Sequence, residues 1–405
     1  MRLVGPDGRV RWLAYGMNVH PGGTPEVLED ALRSTVDPLR ERLDVDGPFG
    51  LAVRLDREGV ETLLDDDERC RLIGDLLRAQ DLVPFTGNAF VHGAFHDVGT
   101  KADVYRPTWT DPARVAYTVG FAHVLAAWSS PGAEVSLSTS PLSFKPFGDG
   151  PGLARAAAAR LVETGAALAD LADATGVRVR LAVEPEPLCT LETTDETLAF
   201  FAGPLEAALA GAPRARAHLG VCYDVCHQAV EGEDPEASLL ALEAAGVAIA
   251  KVQLSSALVV PDPAQAAHRA AVARFDEGRW LHQVAAGAPP HGVRRAADLP
   301  DVLTGPDAAA WAAAGPWRVH CHVPVHLAAL TPPLVTTQSV LARALRTLAR
   351  RGLTSHLEIE TYTWDGLPPE VRAGGLVASL AREYAWVLAR LREDGVVPWA
   401  PEEDA

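Results

Sequence analysis

The runs Leu181-Ala-Val-Glu184-Pro-Glu186 and Val221-Cys-Tyr-Asp224-Val-Cys-His227 each carry a short apolar, strand-like stretch that stops on acidic or imidazole side chains. A third run, Leu357-Glu358-Ile-Glu360-Thr-Tyr362, repeats the pattern towards the C-terminus. Oxygen and nitrogen donors therefore arrive at strand ends scattered along the chain. Only a fold that gathers those ends at one place can build a site from them.

Working outward, short apolar runs alternate with Ala/Leu/Arg-rich amphipathic stretches, the pattern of parallel βα units. Strands are predicted near Leu13–Val19, Phe49–Leu55, Val83–Phe90, Glu134–Ser140, Val177–Glu184, Ala217–Asp224, Val247–Leu254, Trp317–Val323 and His356–Thr361. Helices are predicted over Glu26–Arg42, Glu58–Ala79, Pro112–Trp128, Leu153–Ala174, Glu196–Ala210, Pro235–Ala245, Thr337–Arg351 and Leu376–Glu393. Their sum is an α/β fold of the (β/α)8 TIM-barrel kind, a single domain over 1–405. One elaborated, lid-like connection over 255–315 precedes the last strands and takes up the surplus strand. The tail 396–405 is expected to fray.

Length permits one large domain, and 36 Lys and Arg against 53 Asp and Glu leave a net charge of −17. That balance disfavours a nucleic-acid backbone or an anionic membrane surface as partner. No apolar run reaches the roughly 18 residues of a membrane span, and the first residues do not read as a secretion signal, so a cytoplasmic location is expected. The odd set of Cys70, Cys189, Cys222, Cys226 and Cys321 reads as reduced thiols, and Cys222, Cys226 and His227 lack a second pair at zinc-finger spacing.

In such a barrel the C-terminal strand ends share one mouth, where the chemistry sits. The polar residues fall there: Asn18 and His20, Asn88 with His92 and His96, Ser138 and Ser140 with Lys145 beyond, Glu184 and Glu186, Asp224 and His227, Gln253 and Ser255, Glu358 and Glu360. Glu184, Asp224 and Glu360 offer the carboxylate oxygens a hard divalent cation prefers. Asp224 and His227, three apart, point into one cavity if a helical turn begins directly after Asp224. The bland alternatives are arginine partners for Glu186 and Glu358, loop or capping roles for His20, His92 and His96, packing for Trp280, Tyr362 and Trp364, and solvation for Arg294, Arg295, Arg350 and Arg351.

The ordered set Glu184 in Ala-Val-Glu-Pro, Asp224 and His227 in Asp-Val-Cys-His, and Glu360 in Glu-Ile-Glu-Thr-Tyr resembles the xylose isomerase-like TIM barrels, the sugar isomerase and epimerase group. More narrowly, Gly16-Met-Asn-Val-His20, Thr86-Gly-Asn-Ala-Phe-Val-His92, Glu184-Pro-Glu-Pro, Lys251-Val-Gln-Leu-Ser, Trp317-Arg-Val-His-Cys-His-Val-Pro and Glu360-Thr-Tyr-Thr-Trp364 look like the EboE metabolite traffic proteins, over almost the whole chain. The resemblance implies a divalent metal (Mn, Mg, Co or Zn) on Glu184, Asp224, Gln253, His322 and Glu360. It implies proton exchange by Glu184 and Glu360, with His227 on a substrate hydroxyl. His20, Asn88, His92, Glu186, His320 and Trp364 are expected to meet a small-molecule metabolite.

One departure matters: the relatives place a metal-binding His where this chain has Gln253, a neutral and weaker donor. Either His320 or His322 supplies the imidazole, from a strand followed by a helix as a barrel strand should be, or the metal is held less tightly. Two functions follow: a metal-dependent isomerase or epimerase working through an enediolate, or a barrel that binds and hands over a biosynthetic intermediate. A metal-dependent endonuclease of the same superfamily is disfavoured by the acidic charge.

Overall fold

The computed structural model describes residues 1–93, 95–97 and 99–399. Its main sheet contains eight parallel strands: β1 (Val10–Tyr15), β2 (Phe49–Arg54), β3 (Leu82–Asn88), β4 (Glu134–Thr139), β5 (Arg178–Val183), β6 (Leu219–Asp224), β7 (Ile249–Leu254) and β8 (His356–Ile359). β2 to β8 pair in chain order, β8 pairs with β1, and a parallel bridge from Gly16 to Ala52 closes β1 onto β2. This is a TIM barrel. Strands covered on both faces need apolar runs without alternation, and β2, β6 and β7 are buried at every residue.

Helices follow each strand and pack outside the ring. Pro112–Trp128 after β3 and Pro151–Thr175 after β4 are the longest of the early units, and Leu376–Glu393 closes the chain after β8. Several start on an aspartate whose carboxylate accepts a first-turn N–H, among them Asp56, Asp111 and Asp234. Asp224 does the same for Val225–Glu231, so the helical turn directly after β6 is present.

The first strand begins earlier than predicted and stops at Tyr15. Gly16 keeps only one β-bridge, to Ala52, and Met17–Val19 form a single 3-10 turn. A larger difference concerns Trp317–Val323. Only Trp317–Val319 is a strand, and it is not part of the barrel: β7 pairs directly with β8 through Val252 and Leu357. Trp317–Val319 lies antiparallel between Leu258–Val260 and Val284–Ala286, in a second sheet completed by Val293–Ala296 and Val335–Thr336. An alternating Trp-Arg-Val-His pattern reads the same in either kind of sheet, which is why the sequence misplaced it. The connection between β7 and Gln338–Arg351 thus carries its own small sheet, running from residue 258 to residue 336.

At the ends of the chain, Leu3 and Val4 pair with Pro398 and Val397, so backbone pairing continues into the segment expected to fray; residues 400–405 lie outside the described residues. The barrel interior is layered. Trp12 stacks on Phe85 near the N-terminal end, where His356 Nδ1 meets Ser136 Oγ at 2.8 Å. Above them, Lys251 Nζ is ion-paired with Glu358, both fully buried.

Candidate metal centre

Glu184 follows β5, Asp224 ends β6 and Glu360 follows β8, so strand ends alone bring three acids to one mouth. One oxygen from each lies within 4.8 Å of the others, and all three side chains are buried. Asn18 donates its amide N–H to Glu360 Oε1. Asp224 Oδ1 accepts the Ser255 hydroxyl at 2.8 Å and the His227 backbone N–H at 2.9 Å. Glu184 Oε2 and Asp224 Oδ2 are buried with no partner.

Like charges so close, away from water, resist ionisation together. Burial, and then Asp224, push the Glu184 carboxyl well above the usual carboxylate range; burial, and then Glu184, do the same to Glu360. Asp224 moves the other way: burial opposes it, but His227, His322 and its hydrogen bonds outweigh burial. The nearest cation, Lys251, is committed to Glu358. A divalent cation among the three oxygens would supply the missing positive charge, and the hard donor set fits one.

Beside the acids stand three imidazoles. His227 Nδ1 bonds the Pro185 carbonyl at 2.9 Å, His320 Nδ1 the Gln283 Oε1 at 2.7 Å, and His322 Nδ1 the Glu360 carbonyl at 3.2 Å. Their Nε2 atoms meet: His227 to His320 at 3.1 Å and His320 to His322 at 3.2 Å. Burial pushes His320 well below its ordinary range and His322 down to about 4.

A cavity of about 50 Å3 opens over this cluster, lined at its floor by Asn18, Glu184, Glu186, His227, His320, His322 and Glu360, and walled by aromatic rings that include Phe95, Tyr105, Trp280 and Tyr362. On this measure a single water needs roughly 10–15 Å3, so the space suits a small compound. Arg54, at the end of β2, is the one cationic side chain lining it among the described residues. Its guanidinium donates to the Gly22 and Gly93 carbonyls, and no carboxylate among the described residues pairs with it.

Of the expected site residues, Glu184, Asp224, Glu360, His227, His320 and His322 come together, and Asn88 and Glu186 line the cavity. Glu186 is held by Tyr105 Oη–H at 2.6 Å, not by an arginine, and Glu358 by a lysine. Gln253 is buried and accepts the Cys222 thiol at 3.3 Å, while its amide nitrogen has no partner. His320 and His322 come instead from the connection, directly after Trp317–Val319, a strand of the small sheet and not of the barrel.

His20, His92 and Trp364 do not line the cavity. His20 bonds Tyr15 Oη at 3.0 Å, His92 packs edge-on against Tyr117, and Trp364 sits in the main core. Arg295 is not simply solvated: it is paired with Glu231 and Glu192. The sequence reading missed Arg54, Tyr105 and Gln283. A charged residue closing the apolar run of β2 was a usable signal for Arg54; Tyr105 and Gln283 lie in connections with no periodic signal.

No family model and no curated protein matches the sequence. Among solved structures, a xylose isomerase-like TIM barrel protein from Mycobacterium smegmatis in complex with magnesium aligns over 95% of this chain and 97% of its own, at 13% identity and a TM-score of 0.50. A protein from Anabaena variabilis assigned as a sugar phosphate isomerase/epimerase aligns over 95% and 99%, at 11% identity and a TM-score of 0.49. The IolI protein with a bound zinc atom aligns over 56% and 67%, at 15% identity and a TM-score of 0.34. The structural neighbours are xylose isomerase-like TIM barrels, and at such identity the likeness concerns the fold.

Proposed function

We propose that this barrel is a divalent-metal-dependent isomerase or epimerase acting on a small, oxygen-rich, sugar-like metabolite. The observation that carries the reading is the cluster of Glu184, Asp224 and Glu360: three buried carboxylates, two of them with an unpartnered oxygen, of which Glu184 and Glu360 line a small cavity. Glu184, Asp224 and Glu360 would hold a divalent cation, which would supply Lewis acidity towards a carbonyl and the carbon-bound hydrogen beside it.

Glu184 and Glu360 belong to different strands and flank the same space. Burial, and then Asp224, raise the Glu184 carboxyl, and burial, and then Glu184, raise that of Glu360, a direction that suits groups that take and return a proton. Asp224, kept ionised, anchors. The imidazole edge of His227, His320 and His322 faces the substrate's hydroxyl oxygens, and Arg54 receives its most negative end.

A second reading is favoured by Gln253. A neutral amide at Gln253 where the relatives place an imidazole is a weaker donor, which agrees better with binding and handover of an intermediate, as the likeness to the EboE metabolite traffic proteins implies, than with turnover. Metal analysis of the purified protein and of Asp224→Ala and Glu360→Ala tests the common premise: bound divalent metal should disappear in both. Incubating the loaded protein with ketoses, their phosphates and polyols in deuterated solvent then separates the readings. Deuterium appearing at carbon supports the isomerase; binding without exchange supports handover.

A further inference from the structure

The end of the barrel away from the acids is polar, where barrel interiors are ordinarily filled by branched apolar side chains. Inward-facing positions alternate along each strand. Two residues below Ser138, Ala182 and Glu358 therefore stand Ser136, Arg180 and His356, the lowest layer of the interior; Ser136 and Arg180 are register partners in β4 and β5. Just above them Ala182, Cys222 and Ala250 pack together, and side chains that small do not fill the space beneath. A cavity of about 200 Å3 opens there, lined by Ser136, His356 and three arginines, Arg9, Arg178 and Arg180.

The arginines are not balanced. Among the described residues Glu134 is the one carboxylate lining the cavity, and it is paired with Arg178 at 3.0 Å. Asp7 comes only within 3.8 Å of Arg9, and Arg11 holds both of its oxygens, at 3.1 and 3.0 Å. Arg180 gives an N–H to the Ala217 carbonyl at 3.2 Å, and no carboxylate among the described residues pairs with it. Three guanidiniums against a single lining carboxylate leave two positive charges unmatched, in a chain whose net charge is −17. His356 lies in the same field: burial first, then Lys251 and Arg180, hold its imidazole down to about 3.

We propose that this cavity binds a phosphate-type dianion, either the free ion or the phosphate of a small ester. Guanidinium forks match the several oxygens of such a group. Arg180 meets it from inside the ring, while Arg9, in the turn before β1, and Arg178, the first residue of β5, reach it from the rim. The site lies at the opposite end of the barrel from Glu184 and Glu360 and does not depend on the function proposed for them.

Calorimetric titration of chelator-treated protein with inorganic phosphate and with glycerol phosphate tests the site, at about pH 8, where a phosphate carries close to two charges, against chloride of equal ionic strength. Wild type is expected to bind one equivalent, and whichever compound binds more tightly identifies the ion or the ester as the ligand. Arg180→Gln should weaken that binding about tenfold or more. Arg9→Gln/Arg178→Gln should weaken it as well; these side chains are 71% and 52% exposed, so this variant reads the site even where Arg180→Gln fails to fold. Arg54→Gln, at the other end of the barrel, should leave it unchanged. No binding by wild type, an equal response to chloride, or binding that both cavity variants keep and Arg54→Gln abolishes overturns the site.

Discussion

Lys251 and Glu358 form an ion pair inside the barrel, 0% and 1% exposed, with Ser138 Oγ 3.4 Å from the ammonium. The pair lies beneath the acid cluster and leaves it without a cation of its own. Breaking one half of a buried pair strands the other charge, at a cost of about 3–5 kcal/mol. Lys251→Met is expected to lose stability on that scale in urea unfolding, and Lys251→Met/Glu358→Leu to recover most of it. A double variant as unstable as the single one would show that the pair is not the source of the cost. Gly16 explains how closely β1 approaches this pair: a Cβ there would stand 2.6 Å from Glu358 Oε1 and 2.7 Å from Asn18 Oδ1. Asn18 in turn holds Glu360, so a single methyl group would displace the site.

The element that separates this chain from a plain ring of βα units is the small antiparallel sheet between β7 and Gln338–Arg351. It delivers His320 and His322 over the mouth, and Gln283 at its base orients the first of them. Gln283 Oε1 accepts from His320 Nδ1 at 2.7 Å while Nε2 donates to Tyr105 Oη at 2.7 Å. Gln283→Leu should weaken the binding of sugar-like ligands that meet the His320 edge, read by calorimetric titration with ketoses and polyols; unchanged affinity would mean the ring is held by packing alone. The C-terminal helix joins the same assembly. Glu383 on Leu376–Glu393 accepts from the Val325 N–H at 3.1 Å and the Thr361 hydroxyl at 2.8 Å, tying together the segments that carry His322 and Glu360.

For the whole molecule, the barrel's interior polarity couples folding to pH. Burial, with Lys251 next, lowers His356 to about 3. Its folded pKa therefore lies below the unfolded value near 6.5, and the unfolded chain takes up a proton that the folded one refuses. This contribution is intact above pH 6.5 and is lost progressively as pH falls from there towards about 3. Urea midpoints measured at steps from pH 7 to 4 should fall less steeply in His356→Gln than in wild type; parallel slopes would exclude His356 as a source.

The barrel and its three acids were legible because both depend on local pattern. An apolar run ending in Glu or Asp marks a buried strand and its C-terminal end, and eight such strands leave few other ways to close. Glu184, Asp224 and Glu360 needed nothing further to be placed at one rim. Only the tertiary structure could assign His320 and His322 to a covering sheet, pair Lys251 with Glu358, engage Gln253 with Cys222 and leave Arg54 facing the cavity. The meeting of His227 with His320 spans 93 residues. Periodicity records which face of a segment is buried, but not which distant segment covers it, and that choice is made by the packing of the connection on the finished barrel.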